Sequence, residues 1–124
     1  MTTWTMLIAG GLLGTLARYL LSGAVYRWLG AGFPYGTLVV NLTGCFVIGA
    51  LSTVANRRAM LTPEVRLFCM VGFLGAFTTF SSLIYESARL LQDSQFALAA
   101  VNLLGSVLLG LAAFWLGMVL ASVV

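Results

Sequence analysis

The chain has 124 residues, of which 61% are hydrophobic and only 7% charged. A soluble domain carries roughly 25% charged residues, so this chain cannot cover a core against water and reads as an all-α integral membrane protein. Six arginines stand against three acids, with no histidine; that net positive charge is too small and too scattered for a nucleic-acid surface, and no nucleic-acid partner is expected. Cys45 and Cys69 each lie in an apolar run and read as small buried hydrophobes.

One transmembrane domain is expected over residues 1–124, with spans at about 4–29, 37–55, 63–92 and 96–123. The N-terminal Met-Thr-Thr-Trp-Thr-Met lacks the positive region of a signal peptide, so the first apolar stretch is read as a retained span. In it, Gly10 and Gly14 stand four apart, a spacing that lets helices approach closely. Arg18 follows with two readings: its stem snorkels toward the interface, or it faces a polar vestibule that attracts anions. Residues 30–36 form a turn, with Pro34 ending any helix.

In the second span, Thr37, Asn41, Thr43 and Gly44 are placed along one face. An amide in hydrocarbon needs a partner, so Asn41 serves either an interhelical hydrogen bond or a polar path. Thr62-Pro63-Glu64 carries the marks of a helix start: a capping hydroxyl, a first-turn proline and an acid.

The third span holds the most unusual stretch, residues 72–86. Two glycines weaken the helix there, and Thr78, Thr79, Ser81 and Ser82 place four hydroxyls around Phe80. Each hydroxyl offers nearby backbone an alternative to the helical ladder. The span is also longer than a hydrocarbon core of roughly 30 Å needs. An interruption is expected at 75–79, and such breaks are tolerated only against protein or a water-filled cavity. In the fourth span Asn102, Gly105, Ser106 and Gly110 form a small, polar stripe that reads as tight packing or as pore lining.

Four spans put both termini and the 56–66 loop on one side, with Arg57, Arg58 and Arg66; Arg27 and Arg89 lie on the other, with Arg18 deeper. Orientation follows the arginine and lysine bias, and here there is almost none. Two copies inserted in opposite senses would make an antiparallel dimer, an inverted repeat built from one short chain.

No nucleophile–base pair, phosphate loop or metal-ligand cluster stands in the sequence, so no enzyme is expected. A four-span exporter would want a carboxylate in the first span, which has none; an accessory membrane subunit remains an alternative to a pore. The candidate lining offers amide protons, hydroxyls, aromatic ring edges and Arg18, all donors or positive edges. A cation path would want rings of carboxylates or carbonyls, and Glu86 alone supplies a carboxylate near the centre.

The chain resembles the small bacterial fluoride channels called Fluc or CrcB over essentially its whole length. The likeness rests on Gly10-Gly11-x-x-Gly14-x-x-x-Arg18, on Gly36-Thr-Leu-Val-Val-Asn41, and on Gly72-x-x-Gly75-x-x-Thr78-Thr79-Phe80-Ser81 with Glu86. The resemblance implies a dual-topology antiparallel homodimer in the inner membrane, passing fluoride passively out of the cytoplasm along two pores. It implies a lane past Asn41 and the ring edge of Phe80, a polar track at Thr37, Ser82 and Ser106, and a vestibule at Arg18. It also implies a structural sodium ion at the dimer centre, held by the carbonyls of Gly75 and Thr78. The family pattern has a second phenylalanine where this chain has Leu83, so that position of the lane offers no ring edge; Phe77 or Phe73 is the alternative source of one.

Overall fold

The computed structural model describes residues 2–58 and 61–124, Arg58 by its backbone alone. The regular elements of the described residues are all helical: α1 Thr2–Leu29, α2 Tyr35–Arg58, α3 Pro63–Arg66, a π-helical stretch Leu67–Phe73, α4 Leu74–Phe77, α5 Phe80–Gln92 and α6 Phe96–Ser122. Four segments are long and apolar enough to cross a membrane: Thr2–Leu29, Tyr35–Arg57, Pro63–Gln92 and Phe96–Ser122. Leucines such as Leu12, Leu16, Leu20, Leu104, Leu108 and Leu111 are exposed, as lipid-facing side chains are.

Local chemistry sets the ends. Gly30 ends α1 with φ +82, a left-handed turn open to a residue without Cβ. The Pro34 carbonyl accepts from Leu38 N at 3.2 Å as α2 begins. Thr62 caps α3, its hydroxyl accepting from Val65 N at 3.4 Å with Pro63 in the first turn, as its sequence foretold.

The bundle is held where glycines remove side chains from crossings. A Cβ on Gly10 would sit 2.9 Å from Phe73 N, and one on Gly14 would strike the Phe73 carbonyl, so α1 runs directly against the backbone of the π-helical stretch. Gly49 on α2 likewise admits the Phe114 backbone, and Gly117 on α6 admits that of Phe46, making α2 and α6 the closest-packed pair. The π-helical stretch has no counterpart in the sequence reading. Its mark is the Leu74 N–H reaching Cys69 O, five residues back. Val40, Leu74 and Phe77 form the buried core, joined by Phe73 stacked on Phe77 at 5.7 Å and 13°.

Two expectations need correcting. Thr43 does not share the face of Asn41: it is exposed, and its hydroxyl turns back onto Val39 O at 2.7 Å. Spacings of four and three place 37, 41 and 44 together, whereas position 43 falls outside that arc. The α6 stripe also divides. Asn102 and Gly110 are buried, Gly110 against Cys45, while nothing lies within 4 Å of a Cβ on Gly105.

Candidate functional site

Between α4 and α5 the backbone is extended, at φ −84, ψ 156 for Thr78 and φ −149, ψ 115 for Thr79. Hydroxyls and one amide take over its hydrogen bonds. Thr78 closes α4 twice, through N at 3.0 Å and Oγ1 at 2.9 Å, both donating to Leu74 O. Thr79 caps α5, its Oγ1 accepting from Ser82 N at 3.2 Å. Asn41 on α2 grips both polar main-chain groups of Thr79: Thr79 N donates to Oδ1 at 2.8 Å and Nδ2 donates to Thr79 O at 3.0 Å. Gly44, one turn further along α2, leaves the space that the Thr78 side chain fills.

This rewiring frees particular carbonyls. In an unbroken helix Gly75 O would accept from Thr79 N, and Thr78 O from Ser82 N. Those two donors are bound instead to Asn41 Oδ1 and Thr79 Oγ1. The carbonyls of Gly75 and Thr78 are thus released from the ladder, at residues that line the same groove.

That groove, about 350 Å³, is lined by Asn41, Gly75, Thr78, Phe80, Leu83 and Ser106 among others. A second groove of about 270 Å³ is lined by Arg18, Thr37, Ser82 and Glu86, with Thr15 and Ser22. Thr79 borders both, so the residues singled out in the sequence fall on two hollows meeting at one threonine. Ser81 lines neither; it is exposed, with its Oγ 3.3 Å from Thr79 Oγ1.

The proton inventory decides what the grooves can offer. Thr37 gives its hydroxyl proton to Glu86 Oε1 at 2.7 Å, and Tyr26 adds a longer bond to the same oxygen at 3.4 Å. Asn41 spends one amide proton on Thr79 and keeps the other. Ser106 Oγ is buried without a partner, as is Glu86 Oε2. Arg18 makes no hydrogen bond or ion pair with any described residue, although Glu86 lines the same groove. Phe80 is 75% exposed, its ring standing on the outer face of the chain. Leu83, only 6% exposed, packs inward at the groove wall. Phe77 is buried in the core against Phe73 and neither lines a groove, so both are packing side chains. Among the described residues no group of three or more His, Cys, Asp or Glu could hold a metal.

The sequence reading missed Tyr26. Its signal was present: Arg18, Ser22 and Tyr26 recur every four residues on α1, a polar stripe along the face that meets Glu86. It also passed over Ser87, buried and accepting from Asn102 Nδ2 at 2.9 Å.

Four apolar spans, with hydroxyls and the Asn41 amide gathered on two grooves, define a multi-pass membrane protein built to handle a small polar solute. Residues 5–118 match the family described as CrcB-like protein, Camphor Resistance (CrcB), and the chain belongs to that family. It is 52% identical over 111 residues to the fluoride-specific ion channel FluC of Geobacter metallireducens, covering 90% of each chain. It is 44% identical over 121 residues to the protein of that name from Nitrosococcus oceani, covering 98% of this chain and 95% of the relative. Against that of Geobacter sulfurreducens it is 46% identical over 121 residues, covering 98% of both.

Proposed function

We propose that the chain is a fluoride-selective channel, not an enzyme, through which fluoride leaves the cytoplasm down its electrochemical gradient. Relatives bearing the fluoride-channel name are matched over nine-tenths or more of both chains. In the structure, the observation that carries the reading is the gathering of unspent donors on the two grooves: the second Asn41 amide proton, Ser106 Oγ and Arg18. Fluoride is small and strongly hydrated, so a selective lane must replace its water with hydrogen-bond donors at close quarters. Arg18 raises the local anion concentration at the mouth, and Ser82 and Asn41 hand the ion along the Thr79 border. The Phe80 ring adds its positive edge, and Leu83 closes the wall as an apolar side chain. Thr37 holds Glu86 rather than the anion, its proton being committed. Thr79 and Ser81 shape the lane through the cap on α5.

The working unit is read as an antiparallel homodimer in the inner membrane. The third span acts as a broken helix, its freed carbonyls facing the second copy. Gly75 and Thr78 fit a hard cation such as sodium, because hard cations take oxygen ligands and these oxygens have lost their helical donors. Two copies would bring four such oxygens together, and the ion's charge would lower the electrostatic cost of nearby anions.

The test is efflux from liposomes loaded with potassium fluoride, started by a potassium ionophore. Fluoride should leave rapidly and chloride should stay. Folded protein that releases no fluoride would overturn the channel reading, and an accessory role would then show as a stoichiometric partner.

A further inference from the structure

At the end of the bundle away from both grooves, α2 and α6 part to leave a hollow of about 310 Å³ that the channel reading does not use. Its polar wall is Ser52, Asn56 and Arg57, and its apolar wall is Trp115, Met118 and Val119. We propose that this hollow binds an anionic phospholipid, with the phosphate on Arg57 and the glycerol and upper acyl chain against Trp115.

Depth supports that occupant. Helix α6 has 27 residues, so it is about 40 Å long and overhangs a hydrocarbon core of roughly 30 Å by about 5 Å at each end. Ser122 therefore lies at headgroup level. Trp115, seven residues earlier and 60% exposed, lies about 5 Å below the boundary, where an indole ring belongs. Polar groups at headgroup level with an apolar wall beneath them match one lipid lengthwise.

The hydrogen bonds support the charge. Arg57 donates one proton from Nη1 to Ser122 O at 2.8 Å, which fixes the guanidinium over the hollow and leaves its other donors unspent. Arg66 Nη2 donates to Asn56 Oδ1 at 3.2 Å, bringing a second cation to the rim and leaving the Asn56 amide protons free. Ser52 Oγ donates to Gly49 O at 2.8 Å, so it offers lone pairs to a headgroup hydroxyl. Basic pockets between spanning helices at the membrane surface are the sites where lipid phosphates bind.

The test uses full-length protein in which Trp4 and Trp28 are replaced by phenylalanine, so that Trp115 alone fluoresces. Vesicles contain phosphatidylglycerol or phosphatidylcholine with brominated acyl chains, which quench a tryptophan they touch. Phosphatidylglycerol should compete for the site about fivefold better, the value of one basic residue at an anionic surface. Arg57→Gln should bring the ratio close to one, Arg57→Lys should keep most of it, and Arg89→Gln, at the opposite end, should leave it unchanged. Fluoride efflux should persist in all three and reports folding. Equal quenching by the two lipids in the parent, or a preference that survives Arg57→Gln, overturns the proposal. Displacement by inorganic phosphate at constant ionic strength would show a free-anion site instead. Absence of quenching by either lipid would show that a second copy covers the hollow.

Discussion

The Asn41 clamp makes the sharpest prediction. Replacing Asn41 with alanine removes the acceptor for Thr79 N at 2.8 Å and the donor to Thr79 O at 3.0 Å. Each backbone group left without a partner costs about 1–3 kcal/mol, and water in the groove holds the total near the low end, about 2–3 kcal/mol. The variant should melt several degrees below the parent in detergent, followed by the loss of the native size-exclusion peak, and fluoride efflux should fall. Asn41→Asp separates holding the backbone from contacting the anion. It still accepts from Thr79 N, so its fold should survive. An ionised carboxylate about 4 Å from fluoride at an effective dielectric of 20 opposes it by about 4 kcal/mol, or roughly a thousandfold in flux. Normal melting and conduction in Asn41→Ala would refute the clamp; normal conduction in Asn41→Asp would remove Asn41 from the lane.

Leu83→Phe should leave fluoride efflux equal or raise it, since the 350 Å³ groove beside Leu83 has room for a ring; a clear fall in liposome flux would show that the wall is packed around leucine. Gly14→Val should be among the most damaging substitutions outside the grooves. Its side chain would be driven into the Phe73 carbonyl, an overpacking cost of about 1–3 kcal/mol or more, read as lost monodispersity on extraction; a well-behaved variant would mean that α1 can shift without penalty. Exchanging all sodium for N-methylglucamine on both sides of the vesicles should slow fluoride efflux, and flux independent of sodium would leave the freed carbonyls without that role.

The four spans were legible because apolar runs of that length have one reading in a chain so poor in charge. The close approach at Gly10 and Gly14 was legible from their spacing, and the α3 cap from Thr62-Pro63-Glu64. The tight α2–α6 crossing at Gly49 and Gly117 was not, because pairing glycines on different helices requires knowing which helices meet. The π-helical stretch at Leu67–Phe73 was invisible for a related reason: no proline or polar residue marks it, and it lies where α1 presses on the backbone. Both readings of Asn41 drew on one property, an amide that must be satisfied, and the structure shows how one side chain meets the interhelical reading while retaining a proton for the other. Helical phase puts Thr37 on the face of Asn41, but where its proton goes depends on Glu86, forty-nine residues away, and no local pattern encodes that.

The proposed antiparallel dimer answers an energetic difficulty in the single chain. Phe80 is 75% exposed and Gly75 is also exposed, so a carbonyl that has lost its helical donor lies at a residue on the outside of the bundle, with that of half-buried Thr78 beside it. In hydrocarbon each such group costs several kcal/mol, and irregular backbone persists at membrane depth only against protein or a water-filled cavity. A second copy on this face, as proposed, would remove that cost, and the nearly even arginine distribution would allow it to insert inverted. A two-fold axis through the interruption would then place the two Gly75 residues beside one another. Nothing lies within 4 Å of a Cβ built on Gly75, so a cysteine fits there without strain. With Cys45 and Cys69 changed to serine, Gly75→Cys should give covalent dimers with a short bis-maleimide in membranes, whereas a cysteine at Gly23, toward the end of α1, should not. Protein that conducts fluoride yet yields no Gly75 cross-link would place the two copies some other way, and the freed carbonyls would need a different cover.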